Sequence, residues 1–312
     1  MDVVLLFPGQ GSQKPGMGKD LYDAFPAAKA AFDEADRALG AKISTLCFDG
    51  PAEVLTETHN AQPALLTHGA AVWAVTKDRL GGRVKAAAGH SLGELTAYHA
   101  AGSMSLADAV RLVRRRGQLM FESGVKRPGT MAAILGDPRE PIEAICARAT
   151  REAGLVSPAN YNTPGQVVIS GEDAGVERAM ALAKEAGAKR AMKLDVSGAF
   201  HSALMETAVD GFAQAIAGVA FGDPRFPVYA NVDGGPVVKA DRARDLLQRQ
   251  LTSPVRWSDE MATMAKAFPS ATYVEMGPGS VLVGLVRKIV PDVRTMTCGT
   301  AAEVNQLLEL AA

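Results

Sequence analysis

Apolar and polar positions divide this chain into short strand-like runs and longer helix-compatible stretches. Val3-Val4-Leu5-Leu6-Phe7 is continuously apolar, as expected of a strand buried on both faces of a parallel sheet. Val84, Ala86, Ala87 and Ala88 form a second apolar run, which leads through Gly89-His90-Ser91-Leu92-Gly93-Glu94 into a proline-free helical segment. Residues 21–39 and 63–80 read as helices, the latter carrying Leu65, Leu66, Val72 and Val75 among alanines, with residues 57–62 as a polar connection between them. Past Gly102, Ser105 can cap a helix reaching about Glu122, and Asp108 three residues on makes a weaker form of the capping box.

The rhythm changes after Gly124. Residues 130–135 are strand-like, 138–152 helical, 155–160 and 166–170 strand-like, 174–186 helical and 189–196 strand-like, with Asn162-Thr163-Pro164-Gly165 between the middle strands. That order, β-α-β-β-α-β, is a split βαβ unit of ferredoxin-like type. It is inserted in a larger unit that resumes near Val196. There follow a helix over 203–217, a strand over 227–231, helices over 241–250 and 259–267, and a strand over 272–276 entering Gly277-Pro278-Gly279. A helix through Val290, a short strand near Thr295 and a tail complete the chain. The expected organisation is an α/β protein: 1–127 and 198–312 as a large, mostly parallel α/β domain, and 128–197 as a small ferredoxin-like domain.

Composition narrows the function classes. The 312 residues are 47% hydrophobic and 21% charged, and 33 basic against 34 acidic residues leave a formal charge of -1. Nothing in that balance favours nucleic acid or an anionic membrane surface. Cys47, Cys146 and Cys298 are far apart and in no C-x-x-C pattern, the pattern of isolated thiols in a reducing compartment. The apolar start, residues 3–7, lacks the basic region and length of a signal peptide, and no run approaches the roughly 20 residues of a membrane span. A cytoplasmic enzyme is expected.

Gly89-His90-Ser91-Leu92-Gly93 has the G-x-S-x-G form in the strand–turn–helix context that makes a serine a nucleophile. The glycines let strand and helix approach closely around a strained serine. A serine hydroxyl needs a base at about 2.6–3.2 Å, and that base needs an orienting acceptor. His201, at the return to the large domain among Ser197, Gly198, Ala199 and Ser202, is the distant candidate. His90 adjoins the serine, but neighbouring side chains at such a turn diverge, which suits it to supporting the turn. His59, His68 and His99 read as surface or packing residues. The anionic intermediate requires two amide donors: that of Leu92, after the nucleophile, and one from another loop, for which the loop holding Gln10 is a candidate. Residues Arg114, Arg115 and Arg116 advance about 100° each and fan across roughly 200° of helix surface, so one of them can point inward; periodicity does not choose which.

These motifs together resemble the malonyl-CoA:acyl carrier protein transacylases of fatty acid synthesis and the related acyltransferase domains of polyketide synthases. The resemblance runs through Phe7-Pro8-Gly9-Gln10-Gly11-Ser12-Gln13, Gln62-Pro63-Ala64-Leu65, Gly89-His90-Ser91-Leu92-Gly93-Glu94, Asn162-Thr163-Pro164-Gly165-Gln166-Val167-Val168, Ala199-Phe200-His201-Ser202 and Gly277-Pro278-Gly279. It implies an α/β-hydrolase-like large domain with a ferredoxin-like small one, and a Ser91–His201 dyad. By the same resemblance Gln10 and Leu92 are oxyanion donors, and the backbone carbonyl of Gln250 orients the histidine. Arg116, followed by Gly117, matches the malonate-binding arginine; a guanidinium grips a free carboxylate bidentately and gains nothing from an acetyl group. Phe200 beside the histidine matches malonyl rather than methylmalonyl selection, and Asn162 is carried over to the substrate-binding wall. The resemblance also implies transfer of malonyl from malonyl-CoA to holo acyl carrier protein, with the coenzyme A thioester as substrate and no metal or nucleotide cofactor. A trans-acting malonyl acyltransferase of a polyketide pathway is the alternative. Lys189, Arg190 and Lys193 are candidates for a carrier-facing patch, or simply for a solvated surface.

Overall fold

The structure is a computed structural model and describes residues 1–311. Ten strands form two sheets: β1 (Val3–Phe7), β2 (Val84–Gly89), β3 (Thr130–Leu135), β4 (Val156–Thr163), β5 (Gln166–Gly171), β6 (Arg190–Lys193), β7 (Val228–Tyr229), β8 (Pro236–Val237), β9 (Thr272–Glu275) and β10 (Arg294–Thr297). The larger sheet has the order β10-β9-β1-β2-β7-β8 and is parallel except for the β7–β8 pair. The smaller one, β4-β5-β3-β6, is wholly antiparallel, the strand arrangement of a ferredoxin-like unit. The expected fold class is therefore the observed one.

β1 lies at the centre of the large sheet with all five residues buried, which is why its sequence is apolar at every position rather than at alternate ones. Phe7 pairs with Gly89, so β1 and β2 end side by side and deliver the Pro8–Gln10 loop to the serine turn. That juncture is too tight for side chains. A Cβ on Gly89 would sit 2.0 Å from the Gly93 carbonyl carbon, and one on Gly93 would sit 2.1 Å from the Phe7 carbonyl oxygen. Gly277 supports the same region from below, pressed against the Pro8 ring.

Several elements differ from the sequence reading. The helix expected over 21–39 is two, Lys19–Ala24 and Pro26–Leu39, because Phe25 is extended ahead of Pro26. Residues 57–62 are not a connection: Thr58–Leu80 is one helix that contains Pro63. Short helices at Ile43–Asp49 and Ala52–Thr56 and strand β8 are additional. The expected C-terminal tail is the helix Ala301–Leu310, started by a capping box between Thr300 and Glu303 and buried through Val304 and Leu307. The helix capped by Ser105 runs further than expected, to Lys126.

The smaller sheet is tied to the larger unit through Val255. The Tyr161 amide donates to the Val255 carbonyl at 2.9 Å, and the Val255 amide donates to the Ala159 carbonyl at 2.8 Å. Strand β4 is thereby joined to the segment entering the helix Trp257–Ala267.

Candidate active site

Ser91 sits between β2 and the helix Leu92–Ala100 at φ 52°, ψ -108°, a left-handed conformation that costs a non-glycine residue energy and persists where its surroundings hold it. One holder is Asn231, just beyond the end of β7. Its Oδ1 accepts from the Ser91 amide at 2.8 Å and its Nδ2 donates to the Gly89 carbonyl at 2.8 Å, clasping both sides of the turn. Its Nδ2 also donates to Glu260 Oε1, and its own amide donates to Glu94 Oε2. With the Ser91 amide so engaged, the next free donor along the turn is Leu92. Neither the Leu92 nor the Gln10 amide meets an acceptor among the described residues, so both remain available to a developing oxyanion.

The Ser91 hydroxyl lies 2.8 Å from His201 Nε2. His201 Nδ1 lies 2.9 Å from the Gln250 carbonyl, and a carbonyl can only accept, so Nδ1 carries the proton and Nε2 is the bare nitrogen facing the hydroxyl. Burial first, and the Arg116 charge second, lower the His201 pKa from 6.5 to about 3, keeping the ring neutral. A neutral imidazole with its bare nitrogen on the hydroxyl has the geometry to accept the serine proton.

Of the three arginines, Arg114 is half-buried against Asn60, Arg115 reaches exposed Glu122, and Arg116 is the one inside. Gly117 permits this: a Cβ there would lie 2.6 Å from His59 Cα, so the helix Leu106–Lys126 crosses the start of the helix Thr58–Leu80 at close range. Arg116 Nη1 donates to Gln62 Oε1 at 2.8 Å; its Nη2 donates to Gln250 Oε1 at 2.8 Å and to Ser91 Oγ at 3.1 Å. All three partners are neutral, and Nε has none among the described residues. Burial lowers the guanidinium pKa only to about 10, so it is a buried cation with spare donor capacity beside the Ser91 hydroxyl. An anionic group of substrate is the partner such a site lacks.

The Acyl transferase domain family matches residues 4–304. Malonyl CoA-acyl carrier protein transacylase of Bacillus subtilis (strain 168) is 47% identical, over 99% of this chain and 96% of its own length. The chain belongs to the malonyl CoA-acyl carrier protein transacylase family. The relative of that name from Escherichia coli (strain K12) is 44% identical over 98% of both chains. Among solved structures, an acyl-carrier-protein S-malonyltransferase from Bartonella henselae superimposes with a TM-score of 0.94 at 43% identity, covering 100% of this chain and 99% of the other. A malonyl-transacylase solved in complex with a type II polyketide synthase acyl-carrier protein gives 0.94 at 41% identity, over 99% and 100%.

The cavity of this transacylase fold brings together Gln10, Ser91, Leu92, Arg116, Phe200 and His201. Asn162 meets the site through the serine turn: its Oδ1 accepts from His90 Nε2 at 2.9 Å, fastening the small domain to that turn, while Asn160 lines the cavity. The register of β4 shifts between Pro158 and Asn160 and again between Tyr161 and Thr163, irregularities that alternation along the sequence does not reveal. Lys193 is engaged by Asp173 and Glu177.

Sequence reasoning missed the groups behind the dyad. Thr58 Oγ1 donates to Gln10 Oε1 at 2.7 Å and accepts from Gln62 Nε2 at 3.2 Å, linking the oxyanion loop to the arginine. The Gln250 side chain was also missed: besides receiving Arg116, its Nε2 lies 3.1 Å from the Ser91 carbonyl and 2.7 Å from Glu94 Oε2. The polarity of residues 57–62 was the available signal. Nothing local marked Asn231.

Proposed function

We propose that this protein transfers the malonyl group of malonyl-CoA to the phosphopantetheine thiol of holo acyl carrier protein through a malonyl-serine intermediate, as a step of fatty acid biosynthesis. The observation that carries the reading is one serine oxygen within 2.8 Å of a neutral histidine nitrogen and 3.1 Å of a buried guanidinium. The names of the relatives agree with it.

In acylation Ser91 Oγ forms a bond to the thioester carbonyl carbon as its proton passes to His201 Nε2. The carbonyl oxygen becomes an oxyanion facing the Gln10 and Leu92 amides. Collapse breaks the C–S bond, the electron pair leaves on sulfur, and His201 returns the proton to give free coenzyme A. The second half repeats this with the carrier thiol as nucleophile and Ser91 Oγ as leaving group. Protons and electron pairs balance without a cofactor, and the coenzyme A thioester is a substrate. Arg116 binds the malonyl carboxylate, and the Phe200 ring limits space at the α-carbon.

Isolated buried thiols at Cys47, Cys146 and Cys298 support a cytoplasmic setting, and no helix of the described residues is long and apolar enough to cross a membrane. The polyketide carrier complex formed by one structural relative favours a second reading, in which the acceptor is a polyketide synthase carrier. Steady-state transfer from malonyl-CoA to holo carriers of both kinds tests the proposal. Parallel double-reciprocal plots and efficient delivery to the fatty acid carrier support it. Preferential delivery to the polyketide carrier moves it to the second reading, and release of malonate to water overturns transfer altogether.

A further inference from the structure

Glu94 lies in the first turn of the helix Leu92–Ala100 and is fully buried. Its Oε2 accepts from the Asn231 amide at 3.0 Å and from Gln250 Nε2 at 2.7 Å, while Oε1 has no partner among the described residues. The same Gln250 side chain accepts from Arg116 Nη2 through its Oε1 at 2.8 Å. A single primary amide thus stands between carboxylate and guanidinium, N–H toward the anion and C=O toward the cation, the orientation in which both charges polarise it favourably. A buried carboxylate without a counter-charge is costly, and so is a buried guanidinium whose contacts are all neutral. Each offsets the other through Gln250.

Resting on the malonyl-transfer reading, we propose that Glu94 is a specificity-tuning residue. Coupled to Arg116 through the Gln250 side chain, it supplies the negative charge set against the guanidinium in the empty pocket. It gives up that role when a substrate carboxylate pairs with Arg116.

The titratable groups facing Glu94 are few. Arg116 comes from the helix Leu106–Lys126, Glu260 from the helix Trp257–Ala267 by way of Asn231, Asp233 from the turn after β7, and Tyr98 from one turn along Glu94's own helix. Asp233 is itself paired with Arg242. Burial raises Glu260 and Tyr98 well above their ordinary values, which keeps the Tyr98 phenol uncharged at neutral pH and disfavours the ionised form of Glu260. Burial also raises Glu94, to about 7, with the Asn231 and Gln250 hydrogen bonds and then the Arg116 charge restraining the rise. A malonyl carboxylate on Arg116 cancels the last of these restraints, and Glu94 then takes up a proton. Linkage makes the effect reciprocal: neutral Glu94 leaves Arg116 uncompensated and favours malonyl binding, whereas ionised Glu94 competes with it.

The test is Glu94→Gln, whose amide oxygen still accepts from Asn231 and Gln250. Donors are malonyl and acetyl N-acetylcysteamine thioesters, which carry no phosphate to titrate. In the wild type, KM for the malonyl donor should rise about tenfold between about pH 6 and about pH 8, with kcat changing far less and the acetyl KM level. In the variant the malonyl KM should stay level near its low-pH value. A second readout is proton uptake on malonylation at neutral pH in weakly buffered solution, present in the wild type and absent from the variant. An unchanged pH slope in the variant, or equal losses with both donors, overturns the proposal. Should the variant fail to fold, wild-type malonylation without proton uptake overturns it alone. Failure of the wild type to form any malonyl adduct sinks the malonyl-transfer reading instead, and this inference with it.

Discussion

Ser91 and His201 are the two non-glycine residues, among those described, with positive φ, at 52° and 56°, and their side chains meet at 2.8 Å. Strain of this kind costs on the order of 1–3 kcal/mol per residue and survives only where the surroundings over-determine it. Here the surroundings are identifiable: Asn231 clasps the serine turn, and the Gln250 carbonyl holds the histidine ring.

Asn231→Ala should therefore harm both stability and chemistry. It leaves the buried Ser91 amide, the Gly89 carbonyl and Glu260 without their partner, a loss of about 2–4 kcal/mol in urea unfolding. Acylation by malonyl-CoA should fall about 10²-fold, as expected of a nucleophile displaced by about an ångström. A variant as active and as stable as wild type would contradict the clasp.

Arg116→Ala should act on selectivity. Loss of a buried charge-assisted carboxylate contact corresponds to about 2–5 kcal/mol, so kcat/KM for a malonyl donor should fall at least 30-fold, by about that energy. The same ratio for an acetyl donor should fall much less or rise. Equal losses with both donors would remove the arginine from carboxylate recognition.

His201 should remain a competent base in mild acid. Because its folded pKa lies near 3, below its ordinary 6.5, the unfolded chain binds more protons across that window. This residue's effect is thus to destabilise the fold progressively as pH drops through 6.5, levelling off near 3. Urea midpoints of wild type and His201→Gln, compared at about pH 7 and about pH 4, should show the wild type losing more stability on acidification. Labelling of Ser91 by an uncharged fluorophosphonate should stay level down to about pH 5. A labelling midpoint near the ordinary histidine pKa would contradict the neutral, desolvated base.

The parts of the site legible in sequence were those set by local constraints. Gly89 and Gly93 frame Ser91 because their own neighbours leave no room for a Cβ, and β1 and β2 read as buried strands because every position is apolar or small except the half-buried Lys85. Residues 57–62 misled for a physical reason: Thr58, Asn60 and Gln62 are polar yet buried, since that end of the helix faces the arginine and the oxyanion loop rather than apolar core. Helical amphipathicity is blurred where one face serves chemistry. Asn231 was hidden because its role depends on β7 being the neighbour of β2, which no spacing along the chain expresses. The C-terminal helix was visible only in the Thr300–Glu303 box.

The most direct measurement is the intact mass of the protein after brief exposure to malonyl-CoA, with peptide mapping, followed by addition of holo acyl carrier protein. One malonyl group on Ser91 that moves to the carrier, and no adduct on Ser91→Ala, is the expected result. An adduct on another residue, an adduct lost to water in the presence of carrier, or labelling retained by Ser91→Ala would contradict transfer through this serine.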